Sequence, residues 1–283
     1  MRNLTQAKII NTNLEEFIMH KKAFVSFILF LFSIAAIAQA KSTYTKEFKK
    51  TIDFHSKGQV EVKTTNGNID MTSWDRNALE VEAEIKVKAR SQRDAEKILD
   101  KVKILIEKSG DRITIAPDYP KRHDGDGFWD WVFGSESRPV VNFKIKVPRE
   151  TNPTARSTNG RIYVSDIEGE TELKTTNGGI EARDMLGSVD AKTTNGSISI
   201  YVAQFGNDDR LDLNTTNGSI ELTLPSDVKA NIEASTVNGS IRTDFPMTVQ
   251  GKISRKRLDG VINDGGGSIE LSTINGSISI YEE

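Results

Sequence analysis

The chain has no cysteine and only three histidines, His20, His55 and His123. Neither charge is in excess: 38 Lys and Arg stand against 40 Asp and Glu, a formal net of −2. Without cysteine there are no disulfides, thiolate metal ligands, cysteine nucleophiles or cysteine-linked lipids. Three histidines leave almost no room for a histidine-based triad or a His-cluster metal centre. Balanced charge argues against nucleic acid as a partner, because phosphate binding normally shows as a basic excess. What is present suits a folded protein. The chain has 283 residues, 36% of them hydrophobic, enough for one long domain or two ordinary ones.

The one long apolar run lies near the N-terminus. Lys21 and Lys22 precede an uncharged stretch of 15 residues, Ala23 to Ile37, and Ala38-Gln39-Ala40 follows. A basic n-region, an apolar h-region and an A-x-A site make a secretory signal peptide. The run is shorter than the roughly 20 residues that span a bilayer, so no stable membrane insertion is expected after cleavage. The 18 residues ahead of Met19 fit this layout poorly, which points to translation starting at Met19. Residues 1–40 are read as the signal segment. The mature chain then starts near Lys41 with 34 basic and 38 acidic side chains. It is expected to be exported, to the periplasm or to the cell surface.

An internal repeat dominates the rest. The unit [Ser/Thr]-x-Asn-Gly-x-Ile occurs seven times. Its asparagines are Asn66, Asn159, Asn177, Asn195, Asn217, Asn238 and Asn275, spaced by 93, 18, 18, 22, 21 and 37 residues. Its isoleucines are Ile69, Ile162, Ile180, Ile198, Ile220, Ile241 and Ile278. The spacing of 37 reads as two periods, with Gly266-Gly267-Ser268-Ile269 as a copy that has lost its Asn. Asn-Gly tolerates positive φ and so allows a sharp turn. The β-branched residue before each Asn and the alternating apolar residues after it favour half-buried strands. Asn-Gly between strands often marks an antiparallel hairpin. A fixed period of 18–22 residues instead suits a solenoid that presents one corner per coil. The expected fold is therefore all-β: a parallel β-solenoid over 151–283, with the isoleucines as a core column and the asparagines as structural corners able to form an amide ladder.

Residues 41–150 are less regular and are read as a β-rich capping region. Leu79 to Ala89 and Val140 to Val147 alternate as strands. Ile104 to Glu107 and Arg112 to Ala116 are strands joined at Ser109-Gly110-Asp111. Ser91-Gln92-Arg93-Asp94 resembles a capping box, and Ala95, Ile98, Leu99 and Val102 recur at helical spacing. This predicts one short amphipathic helix over about 91–102, an insertion that covers an end or side of the stack.

The Thr-Thr-Asn-Gly-x-Ile copies, Val147-Pro148 and the segment Asp94 to Leu99 resemble the bacterial putative-adhesin family, catalogued as domain of unknown function 4097 and described as β-strand repeat-containing. The resemblance covers about residues 45–283. It implies an exported or envelope-associated β-solenoid and brings no catalytic signature.

The most unusual local stretch is Tyr119 to Arg138, with Phe128, Trp129, Trp131 and Phe133 in six residues. It reads either as an aromatic binding loop or as a lid folded onto the stack; the lid is favoured, since exposed aromatic patches are rare. Asp124, Asp126 and Asp130 in this loop fail the EF-hand pattern and are read as solvated. Asp166, Glu168, Glu170 and Glu172 read as the solvent face of a strand rather than a catalytic pair. Lys252 to Arg257 is a short basic cluster in an exposed loop or edge strand. No cofactor, metal or catalytic residue is expected. The expected role is a non-catalytic scaffold or binding module at the cell envelope, with an envelope polysaccharide or another envelope protein as partner. Alternatives are a sensory or regulatory protein that engages a membrane partner and, less favoured, a polysaccharide-processing β-helix enzyme.

Overall fold

A computed structural model describes residues 41–119, 138–249 and 254–283. The signal segment, the aromatic cluster and the first part of the basic run lie outside these residues. Thr43–Glu283 forms one compact unit.

The N-terminal part supplies β1 (Ser42–Asp53), β2 (Gln59–Asn66), β3 (Ile69–Trp74), β4 (Ala78–Ala89), α1 (Gln92–Leu99), β5 (Lys103–Ser109), β6 (Arg112–Asp118) and β7 (Val140–Pro148). The repeats supply β8 (Asn152–Asn159), β9 (Ile162–Ser165), β10 (Thr171–Asn177), β11 (Ile180–Leu186), β12 (Val189–Asn195), β13 (Ile198–Gln204), β14 (Arg210–Asn217), β15 (Ile220–Leu224), β16 (Ala230–Asn238) and β17 (Ile241–Thr243). β18 (Met247–Val249), β19 (Arg257–Ile262), β20 (Gly267–Asn275) and β21 (Ile278–Glu282) complete the chain.

Every Asn-Gly closes a strand of one sheet and opens a strand of the other. One sheet runs β1-β4-β7-β3-β9-β11-β13-β15-β21-β17, the other β18-β19-β16-β20-β14-β12-β10-β8-β2-β6-β5. The two orders match coil by coil: β6/β7, β2/β3, β8/β9, β10/β11, β12/β13, β14/β15, β20/β21, β16/β17. Pairs within this run are parallel, as in Leu173↔Ala191 and Ile198↔Ile220. At the ends, β4 on β7, β5 on β6, β19 on β16 and β18 on β19 are antiparallel. The sheets are therefore mixed, which corrects the expectation of a purely parallel stack. β5 and β6 are joined by a tight turn at Gly110-Asp111, which permits antiparallel pairing only, while β4 and β19 reach their partners through longer connections that leave either sense open.

A second correction concerns the 37-residue spacing. It holds no degenerate coil. Ser268 and Ile269 pair with Arg210 and Leu211 at the start of a strand, not at a corner. The gap is filled by β18 and β19. The last coil in sequence, β20/β21, sits between β14/β15 and β16/β17.

Strand alternation sends one set of side chains into a single apolar core. Ile69, Ile162, Ile180, Ile198, Ile220 and Ile278 are buried, and Ile241, in the end coil, is partly buried. α1 begins at Ser91, whose Oγ accepts from the Asp94 amide at 3.2 Å. Ala95, Ile98 and Leu99 are buried, and the helix packs on β4.

β4 is also tied to its two neighbours by charge. Glu80 receives Lys146 of β7 at 2.9 Å and Lys49 of β1 at 3.1 Å. The hydrogen bond from Lys146, then that from Lys49, holds the Glu80 carboxyl below its ordinary value. A carboxyl depressed in the folded state stabilises above its unfolded pKa, about 4.3. That contribution is lost as pH falls through the folded value. Glu80→Gln is expected to cost about 1–2 kcal/mol at neutral pH. Thermal melts between pH 3 and pH 7 check this: the wild type and the variant should converge at the acid end. A constant gap across that range would contradict the assignment.

Candidate functional site

The corner is built from all parts of the repeat. Its first residue is buried and, in six of the seven copies, donates to the glycine carbonyl of the neighbouring coil; Thr64 donates to Val141 O instead. Thr193 Oγ1 reaches Gly178 O at 2.9 Å, Thr215 reaches Gly196 O at 2.8 Å, and Thr273 reaches Gly218 O at 2.8 Å. The glycine then passes under that coil. A Cβ on Gly178 would lie 2.1 Å from Gly160 O, and one on Gly196 would lie 2.0 Å from Gly178 O. Close approach is therefore the main reason for glycine here. Positive φ, the reason read from the sequence, occurs at only one corner glycine, Gly67 (φ 139).

Outside the glycines runs a row of amides. Asn238 Nδ2 donates to Asn275 Oδ1, Asn275 to Asn217, Asn217 to Asn195, Asn195 to Asn177, Asn177 to Asn159 and Asn159 to Asn66, each at 2.7–2.8 Å. All six bonds point the same way, toward Asn66.

One coil departs from this rule. Between β6 and β7 the sequence has no Asn-Gly, and residues 119–139 connect the two strands. Phe128, Trp129, Trp131 and Phe133, with Asp124, Asp126 and Asp130, lie outside the described residues. At the far end of the stack, the basic run contributes backbone. Arg255 O and Lys256 O accept from Ile241 N and Thr236 N, both at 2.9 Å, so these carbonyls satisfy amides of the last coil. The Arg255, Lys256 and Arg257 side chains are exposed.

A polar groove of about 470 Å³ crosses the outer face of the second sheet. It extends over β6, β2, β8, β10, β12 and β14, a distance of about 24 Å at 4.8 Å per strand. Arg112, Gln59 and Asn152 line one end and Arg210 the other, with Glu170, Glu172, Asp190 and Asp212 between. Strand register makes the line: Thr154, Glu172, Asp190 and Asp212 are successive partners. Stacked carboxylates repel unless cations interleave, and here they do. Arg156 reaches Glu172 at 2.9 Å, Lys192 reaches Asp212 at 3.0 Å and Asp190 at 3.2 Å, and Arg210 reaches Glu270 at 3.3 Å. Burial pushes the Glu172 carboxyl up, but the Lys174 hydrogen bond and the Arg156 charge outweigh it and leave it lowered. Of the carboxylates singled out in sequence, Glu170 and Glu172 line the groove. Asp166 pairs with Arg149 at 3.5 Å, and Glu168 bridges to Leu186 near the opposite corner. Sequence reading missed the groove, since its members are ordinary strand-face residues until register aligns them.

Among the described residues, no group of three or more His, Asp or Glu is placed to hold a metal, and no helix is long and apolar enough to cross a membrane.

The family model for Toastrack DUF4097 matches residues 41–281. The chain belongs to this family. Its match runs through the coils and both capped ends alike. No curated protein matches this Toastrack chain. Solved structures are similar to it, among them the following three. One is named a putative cell adhesion protein, from Clostridium sporogenes: 13% identity, 85% of this chain and 100% of that one covered, TM-score 0.48. Another is named a putative adhesin, from Bacteroides fragilis: 11% identity, 87% and 99% covered, TM-score 0.37. A third is named a putative lipid binding protein, from Parabacteroides distasonis: 14% identity, 84% and 97% covered, TM-score 0.35. All three scores fall below 0.5, so family membership rests on the family match alone.

Proposed function

We propose that this Toastrack chain is an exported, non-catalytic, adhesin-like scaffold that binds a polysaccharide of the cell envelope along its stack. The observation that carries the reading is the groove across six strands. Its walls offer both hydrogen-bond donors, from Arg112, Arg210, Gln59 and Asn152, and acceptors, from Glu170 and Asp190. Hydroxyl-rich chains need both kinds of partner. Export rests on the signal-type segment before Lys41. Phe128, Trp129, Trp131 and Phe133 are a second place where such a chain would be met, through ring stacking.

The test is Trp fluorescence of the mature chain carrying Trp74→Phe, titrated with envelope polysaccharide. A saturable shift is expected. Glu170→Ala with Asp190→Ala should weaken it about a hundredfold or more, as loss of two charge-assisted hydrogen bonds implies. Trp129→Ala with Trp131→Ala leaves no tryptophan in this chain and is titrated by calorimetry instead; loss of binding only there would move the site to the aromatic segment. No saturation with any envelope polysaccharide would sink the reading.

A further inference from the structure

The amide row ends beside a second cavity, of about 420 Å³, lined by Asn66, Gly67, Asn68, Arg138, Val140, Asn142 and Asn159. The hydrogen bonds around it sort by type. Asn66 Oδ1 accepts from Asn159 Nδ2 at 2.8 Å. Asn68 Oδ1 accepts from Arg161 N at 2.9 Å. Asn142 Oδ1 accepts from Asn68 N at 3.0 Å, while its Nδ2 donates to Glu84 at 3.2 Å. Each side-chain amide oxygen lining the cavity at Asn66, Asn68 and Asn142 is thus already engaged. Nδ2 of Asn66, Nδ2 of Asn68 and the Arg138 guanidinium are left with no partner among the described residues. The remaining hydrogen-bonding capacity of these groups is donation.

The row adds to this. Asn159 Nδ2 also reaches Thr65 O at 3.5 Å, and a carbonyl can only accept, which sets the sense of that amide. The other five bonds follow the same sense. Aligned amide dipoles add, as they do along a helix, and bonds in a chain polarise one another. The positive end is Asn66, at the cavity. Glu84, a carboxylate bonded to this wall, is held by Lys86 at 2.7 Å as well as by Asn142.

We propose that this cavity is an oxyanion site: it takes a carboxylate or phosphate group, held by Asn66 Nδ2, Asn68 Nδ2 and Arg138. A guanidinium beside two amide donors matches such a group in geometry and charge. The site lies away from the polysaccharide groove and does not depend on it.

The experiment is a ¹⁵N NMR titration of the mature chain at fixed ionic strength, with inorganic phosphate in one arm and glucuronate in the other. The expected result is saturable movement of the Asn66 and Asn68 side-chain amides and of Arg138 Nε. Saturation by phosphate alone assigns a phosphate ligand, and by glucuronate alone an acidic sugar. Arg138→Gln should weaken binding about tenfold or more, the scale of one charge-assisted bond. Asn66→Asp is the sharper variant. It keeps the oxygen that accepts from Asn159 but turns the free donor into a negative acceptor. Binding should vanish while the melting curve stays near wild type. No saturable shift with either anion, or equal binding in the Asn66→Asp protein, overturns the proposal.

Discussion

Deleting Gly267–Glu283 is expected to abolish cooperative folding, although only the last coil in sequence is removed. In space that coil is internal, between β14/β15 and β16/β17. It carries Ile269, Leu271, Ile278 and Ile280, each no more than 1% exposed. Burial of four such side chains stabilises by about 1.5–3 kcal/mol apiece. Together this is comparable to the roughly 5–15 kcal/mol that holds a typical domain together. The deletion also strips two strands from their partners on both sides and removes two bonds of the amide row, at Asn217 and Asn238. Urea unfolding followed by circular dichroism measures the effect. The control is a mature chain lacking residues 41–53. It loses only an edge strand whose side chains are largely exposed, and should keep a cooperative transition. A wild-type midpoint in the C-terminal deletion would mean that β16/β17 can dock directly on β14/β15, and the account of the last coil would be wrong.

Two adjacent glycines should respond oppositely to substitution. A Cβ on Gly178 meets Gly160 O at 2.1 Å and Gly160 C at 2.6 Å. Both atoms are backbone between paired strands, so neither can yield without separating coils. Gly178→Ala is expected to cost at least about 3 kcal/mol, the upper end for overpacking. At Gly179 the nearest contact is Ser197 O at 3.3 Å. The chain itself places Ser197, Ser219, Ser240 and Ser277 at the equivalent position of other copies. Gly179→Ser should therefore stay within about 0.5 kcal/mol of wild type. Denaturant midpoints of the two variants, measured side by side, decide it. Equal midpoints would remove close approach as the reason for glycine at these corners.

Much of the fold was legible because the repeat states its own period. The alternation after each Asn-Gly gives the strands, and Ser91 with Asp94 announces the helix. Three things were not legible, each for a physical reason. The order of the last two coils was hidden because sequence neighbours were taken as spatial neighbours, while β20 pairs equally well with β14 and β16. The role of the buried Ser or Thr was hidden because its acceptor, a glycine carbonyl, belongs to another coil. The groove and the cavity were hidden because both depend on register. Glu172 and Asp190 are 18 residues apart in sequence and direct neighbours across strands. Arg138 and Asn66 line one cavity because β7 pairs with β3.

The corner geometry also bears on chemical ageing. Asn-Gly is a weak point in proteins, since an unhindered glycine nitrogen can attack the asparagine side chain and expel its amide; asparagine counts among the thermolabile residues. In this stack the attacking nitrogen is already committed. Gly67, Gly160, Gly178, Gly196 and Gly218 each donate their N–H to the Asn carbonyl of the next coil, at 2.9–3.0 Å. The side-chain amides of Asn159, Asn177, Asn195, Asn217 and Asn275 are held from both sides. Cyclisation at these corners requires both restraints to be released at once. The same contacts that set the coil spacing thus restrain deamidation at these corners.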